Sequence, residues 1–430
     1  MGGRALRLAA MTEPVVSSTI IVYREPHAYS SHPSITRLRN GDWLVAFSHS
    51  TQRAFPILHP PNDPQFVNLV IRSRDEGLSW EQPKVAPGYD WYGVETPGIS
   101  SSSTGEVLLN QWRFKWAPLE TAKKRWVSGD NTWFIADRDT RIWRLARSEQ
   151  DWASHPLPYA RGDDGAYVHI STDDGSTWDR TIAIDIAPYQ GAFSPKGVVE
   201  LRNGDLLLAL GSHDHDPLSA TFVVRSRDRG RSWEQPVEVA RADGRVFSEP
   251  SLVETASGRL LLMSREETSG HLHQSTSHDG GATWTPPRRL PMWGYPAHVI
   301  SLVDGRVLMA YGHRRHPFGI RAVLTDDDGE TWSPEIVIRD DVPGTYRGLN
   351  LGYPSVIEYL PGRLFAVYYG EDREGVTCVQ GTYFALDPAA ASTADHAVTR
   401  RPERSRRAIA VDERVHPTSP LGVRAGLAVP

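Results

Sequence analysis

The sequence predicts an all-β chain folded as a six-bladed β-propeller, its ring closed by an N-terminal strand. Three observations lead there. A Pro-led hairpin unit recurs six times, an octamer Ser/Thr-x-Asp-x-Gly-x-Ser/Thr-Trp recurs five times, and one β-rich segment precedes the first unit. Units of this size that each bury a face on the next are the mark of a closed repeat architecture.

The six hairpin units are HPSITRLRNGDWLVAF, TPGISSSSTGEVLLNQW, SPKGVVELRNGDLLLAL, EPSLVETASGRLLLMS, YPAHVISLVDGRVLMAY and YPSVIEYLPGRLFAVYY. Each runs from a Pro through an apolar strand to a turn Gly, then into a second apolar strand. The Pro–Gly pairs are Pro33 and Gly41, Pro97 and Gly105, Pro195 and Gly204, Pro250 and Gly258, Pro296 and Gly305, and Pro354 and Gly362. Such even spacing predicts six hairpins of near-equal length.

The octamers are SRDEGLSW from Ser73, STDDGSTW from Ser171, SRDRGRSW from Ser226, SHDGGATW from Ser277 and TDDDGETW from Thr325. Each reads as a self-bonded turn between a third and a fourth strand. The Asp accepts backbone N–H bonds, the Gly takes a conformation other residues resist, and the Trp packs back onto its blade. Their expected role is structural, on the face opposite the inner-strand starts.

Between turn Gly and octamer Asp, units three to five are compact. The first carries a modest insertion between Gly41 and Asp75. The second carries a long one, roughly 113–165. The sixth unit has no octamer and lacks room for a full blade, so SSTIIVYRE at the N-terminus is expected to supply its outer strand and close the ring. The organisation predicted is an extension over 1–17, a propeller over 18–386 and an Ala/Arg/Pro-rich tail over 387–430.

Composition narrows the function. Apolar residues make up 39% and charged residues 23%, enough for a packed core. A net charge of −5 gives no basic stripe, so nucleic acid is not an expected partner. The single cysteine, Cys378, excludes a disulfide framework and cysteine-based zinc clusters. No apolar run is long enough to cross a bilayer as a helix, and the N-terminus lacks a secretory apolar region, so a cytoplasmic protein without a membrane partner is expected. No phosphate loop, nucleophile elbow or dinucleotide fingerprint appears, and neither cofactor nor metal is expected. The string HDHD at 213–216 reads as a solvated loop.

Blade geometry sorts the ionisable residues. Inner-strand starts and second-strand ends share one mouth. The first group holds His32, Glu95, Lys196, Glu249, His298 and Tyr353. The second holds His49, Arg113, His213, Asp214, Arg265, His313, Arg314, Arg315 and Glu371. A ring of such groups suits a polar, acidic sugar, although propeller mouths are polar in any case.

Residues 18–386 resemble the sialidase family, whose Asp boxes the octamers match. FSEPSLVETASGRLLLMSREE is similar to the blade carrying a catalytic Glu and a carboxylate-binding Arg, which implies Glu249 and Arg265. LGYPSVIEYLPGRLFAVYYGE is similar to the last blade, which implies Tyr353 as nucleophile and Glu371 as an arginine-propping Glu. PPNDPQFVNLVIRSRDEG resembles the segment with the general acid, which implies Asp63. A neutral Tyr hydroxyl beside a Glu avoids the like-charge clash that a carboxylate nucleophile would meet at an acidic sugar.

The sequence departs from the family at its carboxylate clamp. The first family arginine falls at Ser31, and no arginine before the last octamer stands at the family's distance. Arg314 and Arg315 are the candidates there, Arg321 reads as a strand-borne surface charge, and Arg24, Arg53 or Arg113 could substitute for the first. The resemblance implies a retaining glycoside hydrolase acting on a terminal acidic sugar in a glycan, without setting an oligomeric state. Two alternatives stand beside it: a uronate lyase using Tyr or His as base, and a non-catalytic glycan-binding propeller.

Overall fold

Each Pro-led unit folds into the two inner strands of one blade, and the octamer joins the third strand to the fourth. In the computed structural model, blade one comprises Tyr29–Arg37, Trp43–Ser50, Val67–Ser73 and Lys84–Val85. Blades three, four and five repeat this order, and every neighbouring pair is antiparallel. The second strands of blades one and three, Trp43–Ser50 and Leu206–Gly211, are buried along their whole length because both faces meet other blades. Residues 15–50, 66–87, 92–136, 143–212, 219–343 and 351–387 are described, all within one unit spanning 1–392; the unit 393–430 lies outside them.

Blade six contains Gly352–Leu360, Arg363–Glu371 and Thr377–Ala385, and its fourth strand is Val15–Tyr23 from the N-terminal side. Val15 pairs with Ala385 and Tyr23 with Val379. The expected closure of the ring is therefore the observed one, and it covers an edge that would otherwise expose unpaired backbone.

Blade two holds the insertion as an outgrowth of its own ladder. Its second and third strands lengthen to Val107–Pro118 and Tyr159–Ser171 and remain paired from Val107–Ser171 out to Pro118–Tyr159. Beyond them the chain forms a helix, Leu119–Val127, two short strands, Trp133–Ala136 and Trp143–Leu145, and a capped helix, Glu149–Ser154. Trp133, Trp152 and Ala122 give this outgrowth its own small core.

The octamers act as wedges between blades. In the first, the Asp75 carboxylate accepts from Ser79 N at 2.8 Å and Ser79 Oγ at 2.6 Å, while Ser73 Oγ accepts from Gly77 N at 2.8 Å. The same pattern recurs around Asp173, Asp228, Asp279 and Asp327. The Trp packs in the seam between its own blade and the preceding one, so the expected contact with its own blade is only part of its surroundings. Trp178 of blade two packs with Leu44 and Val70 of blade one, and Trp332 of blade five with Leu261 and Met263 of blade four. The Gly is held to the same seam. At Gly175, φ is +77°, and a Cβ would meet Leu44 Cδ1 of the previous blade at 2.8 Å.

A second set of inter-blade bonds runs around the axis. Ser355 Oγ of blade six accepts from Ile35 N of blade one at 3.2 Å, and Ser34 Oγ accepts from Ile99 N of blade two at 3.1 Å. Ser251 Oγ of blade four accepts from Val299 N at 3.0 Å, and His298 Nδ1 of blade five accepts from Val356 N at 2.9 Å. The inner strands of blades one, two, five and six thus each have a backbone N–H fixed by a side chain of the preceding blade.

Hydrogen bonds from Thr177 and Ser171 hold the Asp173 carboxyl down at about 2, and those from Thr283 lower Asp279 likewise. For Asp75, Asp228 and Asp327, burial acts upward, but the bonds from the turn outweigh it and the net shift is downward. A depressed carboxyl lends stability above its unfolded value near 4 and loses it as pH falls through the folded value. Denaturant midpoints should therefore drop steeply between about pH 4 and pH 2. Asp75→Ala should lower unfolding free energy at pH 7 by about 1 kcal/mol, and should narrow the difference between pH 7 and pH 3.

Candidate active site

The mouth is built by one backbone device used repeatedly. At the head of the inner strands of blades one, two, four and six, the residue before the Pro takes a left-handed conformation: φ is 52° at His32, 43° at Thr96, 45° at Glu249 and 54° at Tyr353. Each lies within a break in strand register, such as Ser248 to Ser251 and Gly352 to Ser355. A bulged left-handed residue turns its side chain out of the blade faces. For non-glycine residues this costs of order 1–3 kcal/mol each, a cost that concentrates at functional sites.

Tyr353 and Glu249, from blades six and four, meet through a hydrogen bond from the Tyr hydroxyl to Glu249 Oε1. Arg265, at the end of a second strand, places Nη1 2.6 Å from Glu249 Oε2 and 3.4 Å from the Tyr353 hydroxyl. Its Nη2 lies 2.8 Å from Glu267 Oε2, and Ser248 Oγ donates to the other oxygen of Glu267 at 2.8 Å. The guanidinium stacks on Tyr295, 4.1 Å from the ring centre. Its Nε is buried without a hydrogen-bond partner.

Arg314 approaches the same two rings, 5.2 Å from Tyr295 and 5.8 Å from Tyr353. It donates from Nε to Leu351 O at 2.8 Å and from Nη2 to the Tyr369 hydroxyl at 3.2 Å. Among the described residues no ion pair joins Arg314 to a carboxylate, whereas Arg265 has two. Among the described residues, one cation is thus balanced by two carboxylates and the other by none.

His32 stands edge-on to Tyr353 at 4.2 Å and tilted to Tyr369 at 5.3 Å, with Nδ1 3.0 Å from Ser31 Oγ. Below the mouth, Lys196 donates to Pro354 O at 2.6 Å, and His298 takes part in the axial bonds. Glu371 ends its strand buried, near enough to Tyr29 for its charge to act on that phenol.

The electrostatics follow from burial. Burial pushes the Tyr353 phenol well above its usual value and Glu249 adds to the rise, while Arg265 and Arg314 oppose it. The free hydroxyl is therefore protonated at neutral pH, with Glu249 as its hydrogen-bond acceptor. Burial acts against the Arg265 cation, but Glu249 and Glu267 outweigh it. Burial brings Lys196 down to about 7, with Glu249 acting upward, and burial and Lys196 together hold the His298 imidazole well below its usual value.

Of the sequence-derived candidates, Tyr353, Glu249, Arg265, Arg314 and His32 form one cluster. Arg315 instead points outward and stacks on Trp293 at 3.7 Å. Arg321 is not a surface charge: it is buried and donates to the carbonyls of Ile320, Arg339 and Pro317, where a cation satisfies converging backbone oxygens. Arg24 is committed to Asp372 and Glu374, and Arg113 to Asp164 at 2.7 Å and the face of Tyr167. His49 is buried against Ser30 and Glu25, and His313 bonds Pro317 O at 3.1 Å. Asp63, Arg53, His213 and Asp214 lie outside the described residues.

Three participants escaped the sequence reading. On blade two the left-handed position before the Pro belongs to Thr96, whose Oγ1 is buried with no partner among the described residues; Glu95 is one residue earlier. Tyr295 holds the equivalent position on blade five, and Tyr369 lies deeper in the cluster. The signal for Thr96 and Tyr295 was the Pro that follows each. No group of three metal-ligating side chains occurs among the described residues.

The BNR repeat-like domain matches residues 141–366, more than half of the chain. The chain belongs to the BNR-repeat propellers of the sialidase superfamily. A Bacteroides fragilis sialidase is 24% identical over 303 residues, covering 66% of this chain and 50% of that protein. A Micromonospora viridifaciens sialidase is 30% identical over 235 residues, covering 47% and 33%. The chain thus spans about half or less of these relatives. Among solved structures, a Dyadobacter fermentans protein of unknown function superposes with a TM-score of 0.72 at 22% identity, covering 87% of this chain and all of the other. The NanB sialidase of Streptococcus pneumoniae gives 0.59 at 13%, covering 87% and 71%. These last two likenesses concern the propeller fold.

The two arginines of this superfamily member should respond differently to removal. Arg265→Met strands Glu249 and Glu267 and should cost about 3 kcal/mol in denaturant unfolding. Arg314→Met removes a buried cation that lacks a carboxylate and should cost about 1 kcal/mol or less.

Proposed function

We propose that the protein is a retaining glycoside hydrolase that releases a terminal acidic sugar. The observation that carries this reading is the hydrogen bond from the Tyr353 hydroxyl to Glu249, with Arg265 on the second Glu249 oxygen. Glu249 takes the phenol proton as Tyr353 Oη forms a bond to the anomeric carbon and the bond to the leaving oxygen breaks. The leaving oxygen is protonated by an acid, the role assigned to Asp63. Water then attacks the same carbon, giving its proton to that acid, while Tyr353 leaves and recovers its proton from Glu249.

Substrate charge follows from the cations. A protonated phenol nucleophile is favoured where the reacting carbon already bears a carboxylate. Arg265 and Arg314 flank Tyr353 and supply the field for that carboxylate, with Arg314 the uncommitted partner. Where the family resemblance calls for a first arginine, Ser31 and His32 provide a hydroxyl and an imidazole. A missing clamp of this kind is worth about 2–5 kcal/mol, tens- to thousands-fold in rate. The preferred sugar is therefore an acidic one less dependent on a third arginine, such as a deaminated sialic acid, a related ulosonic acid or a uronate.

A side-by-side assay of aryl glycosides of these sugars and of an ordinary aryl sialoside tests the reading. Hydrolysis with retention, favouring the non-sialoside sugars, is expected. Efficient cleavage of the sialoside would show that two arginines suffice, and a product absorbing in the near ultraviolet would point to a lyase instead. Tyr353→Phe and Glu249→Gln should each reduce turnover about 10³-fold or more while leaving unfolding nearly unchanged. Near-parental activity in either variant would remove these residues from the mechanism.

A further inference from the structure

Lys196 occupies on blade three the slot that follows the Pro, where blades one, four and six carry Ser34, Ser251 and Ser355. All three serines bond the next blade's backbone around the ring. Lys196 instead crosses to blade six and donates to the carbonyl of Pro354 at 2.6 Å. That carbonyl belongs to the residue directly after Tyr353, within the left-handed bulge. The Lys196 side chain is buried, and among the described residues no ion pair joins it to a carboxylate.

The neighbouring blade is shaped to admit this arrangement. Blade two has Gly98 at the corresponding slot, and a Cβ there would fall 2.1 Å from Lys196 O. The titratable groups acting on the amine are Glu249 of blade four and His298 of blade five. The other charged residues lining the same axial cavity of about 430 Å³ are Glu200, Arg202 and Glu254. Glu200 accepts from Ser103, and Glu254 accepts from Arg202 N at 2.8 Å. The Arg202 guanidinium is turned to the carbonyls of Ala256 and Thr255.

We propose that Lys196 is a positioning residue for the Tyr353–Glu249 pair, fastening the bulge that carries Tyr353 and coupling the charge of the pair to its own. The inference rests on the glycosidase reading for its consequence in turnover, but not for the coupling itself. With the amine protonated, positive charge beneath the pair favours the Glu249 carboxylate and the phenolate-like oxygen that attacks. Once the amine loses its proton, that support is withdrawn. Burial places this change near neutrality, since the amine is brought down to about 7.

The chain has five lysines, Lys84, Lys115, Lys123, Lys124 and Lys196, so ¹³Cε-lysine labelling of the whole protein gives few resonances. One of them should titrate near pH 7, be absent from Lys196→Met and move to lower pH in Glu249→Gln. Titration of Lys196 above pH 10 with the others, or a midpoint indifferent to Glu249→Gln, overturns the coupling. On the best acidic aryl glycoside, Lys196→Met should lower kcat roughly 10- to 100-fold with KM nearly constant and should lose the alkaline limb near pH 7. An unchanged pH profile overturns the positioning role. If no acidic glycoside is turned over, the hydrolase reading fails while the resonance titration still decides the coupling.

Discussion

Along the inner strands of a propeller, side chains alternate between two seams, and extended backbone aims none of them down the axis. The left-handed residue before the Pro changes that aim. His32, Glu249 and Tyr353 come from blades one, four and six, yet their side chains meet because each bulge turns one residue into the mouth. The proline fixes its own backbone and discourages helix in the residue before it, so only a register break and neighbouring contacts keep the bulge in place. The axial bonds from Ser34, Ser251, Ser355 and His298 supply those contacts one blade at a time. Site and scaffold are therefore a single construction: the bulges at the mouth sit directly above hydrogen bonds made two or three residues further along four of the strands.

The scaffold was legible in the sequence because its parts are local and repeated. An octamer such as SRDEGLSW contains its own hydrogen-bond partners, with Asp75 reaching only as far as Ser79. Tyr353, Glu249 and Arg265 were legible for a related reason, since aligned blades put them at equivalent strand ends. The failures have the opposite character. Glu95 was preferred over Thr96 because charge was weighed before position, although the residue before Pro97 is the one the bulge presents. Arg321 was misread because its partners are carbonyls at 317, 320 and 339, which no strand pattern announces. The Trp of each octamer also packs against the preceding blade, and Lys196 reaches a carbonyl 158 residues away. Contacts between blades are set by packing, and a repeat read one unit at a time does not contain them.

The two arginines differ in how their buried charge is balanced. Arg265 lies between Glu249 and Glu267, so its charge is balanced before anything binds. Arg314 is held by one carbonyl and one phenol, which orient a guanidinium without neutralising it. Their shared contact with Tyr295 keeps two like charges close on a surface rich in π electrons. On the proposed reading, an anion entering this cradle would meet groups already in place.

Because Val15 pairs with Ala385, the contact that seals the ring is also among the longest in sequence. Loop-closure entropy delays such pairs until the intervening blades have formed. The earliest-made strand of the propeller must therefore wait for the latest, and until they meet both blade six and its partner present open β edges. Folding of this chain is thereby tied to protection of those edges during assembly. After assembly, the same seam joins the two ends of the ring, so peeling the propeller from either end must begin by separating Val15–Tyr23 from Thr377–Ala385.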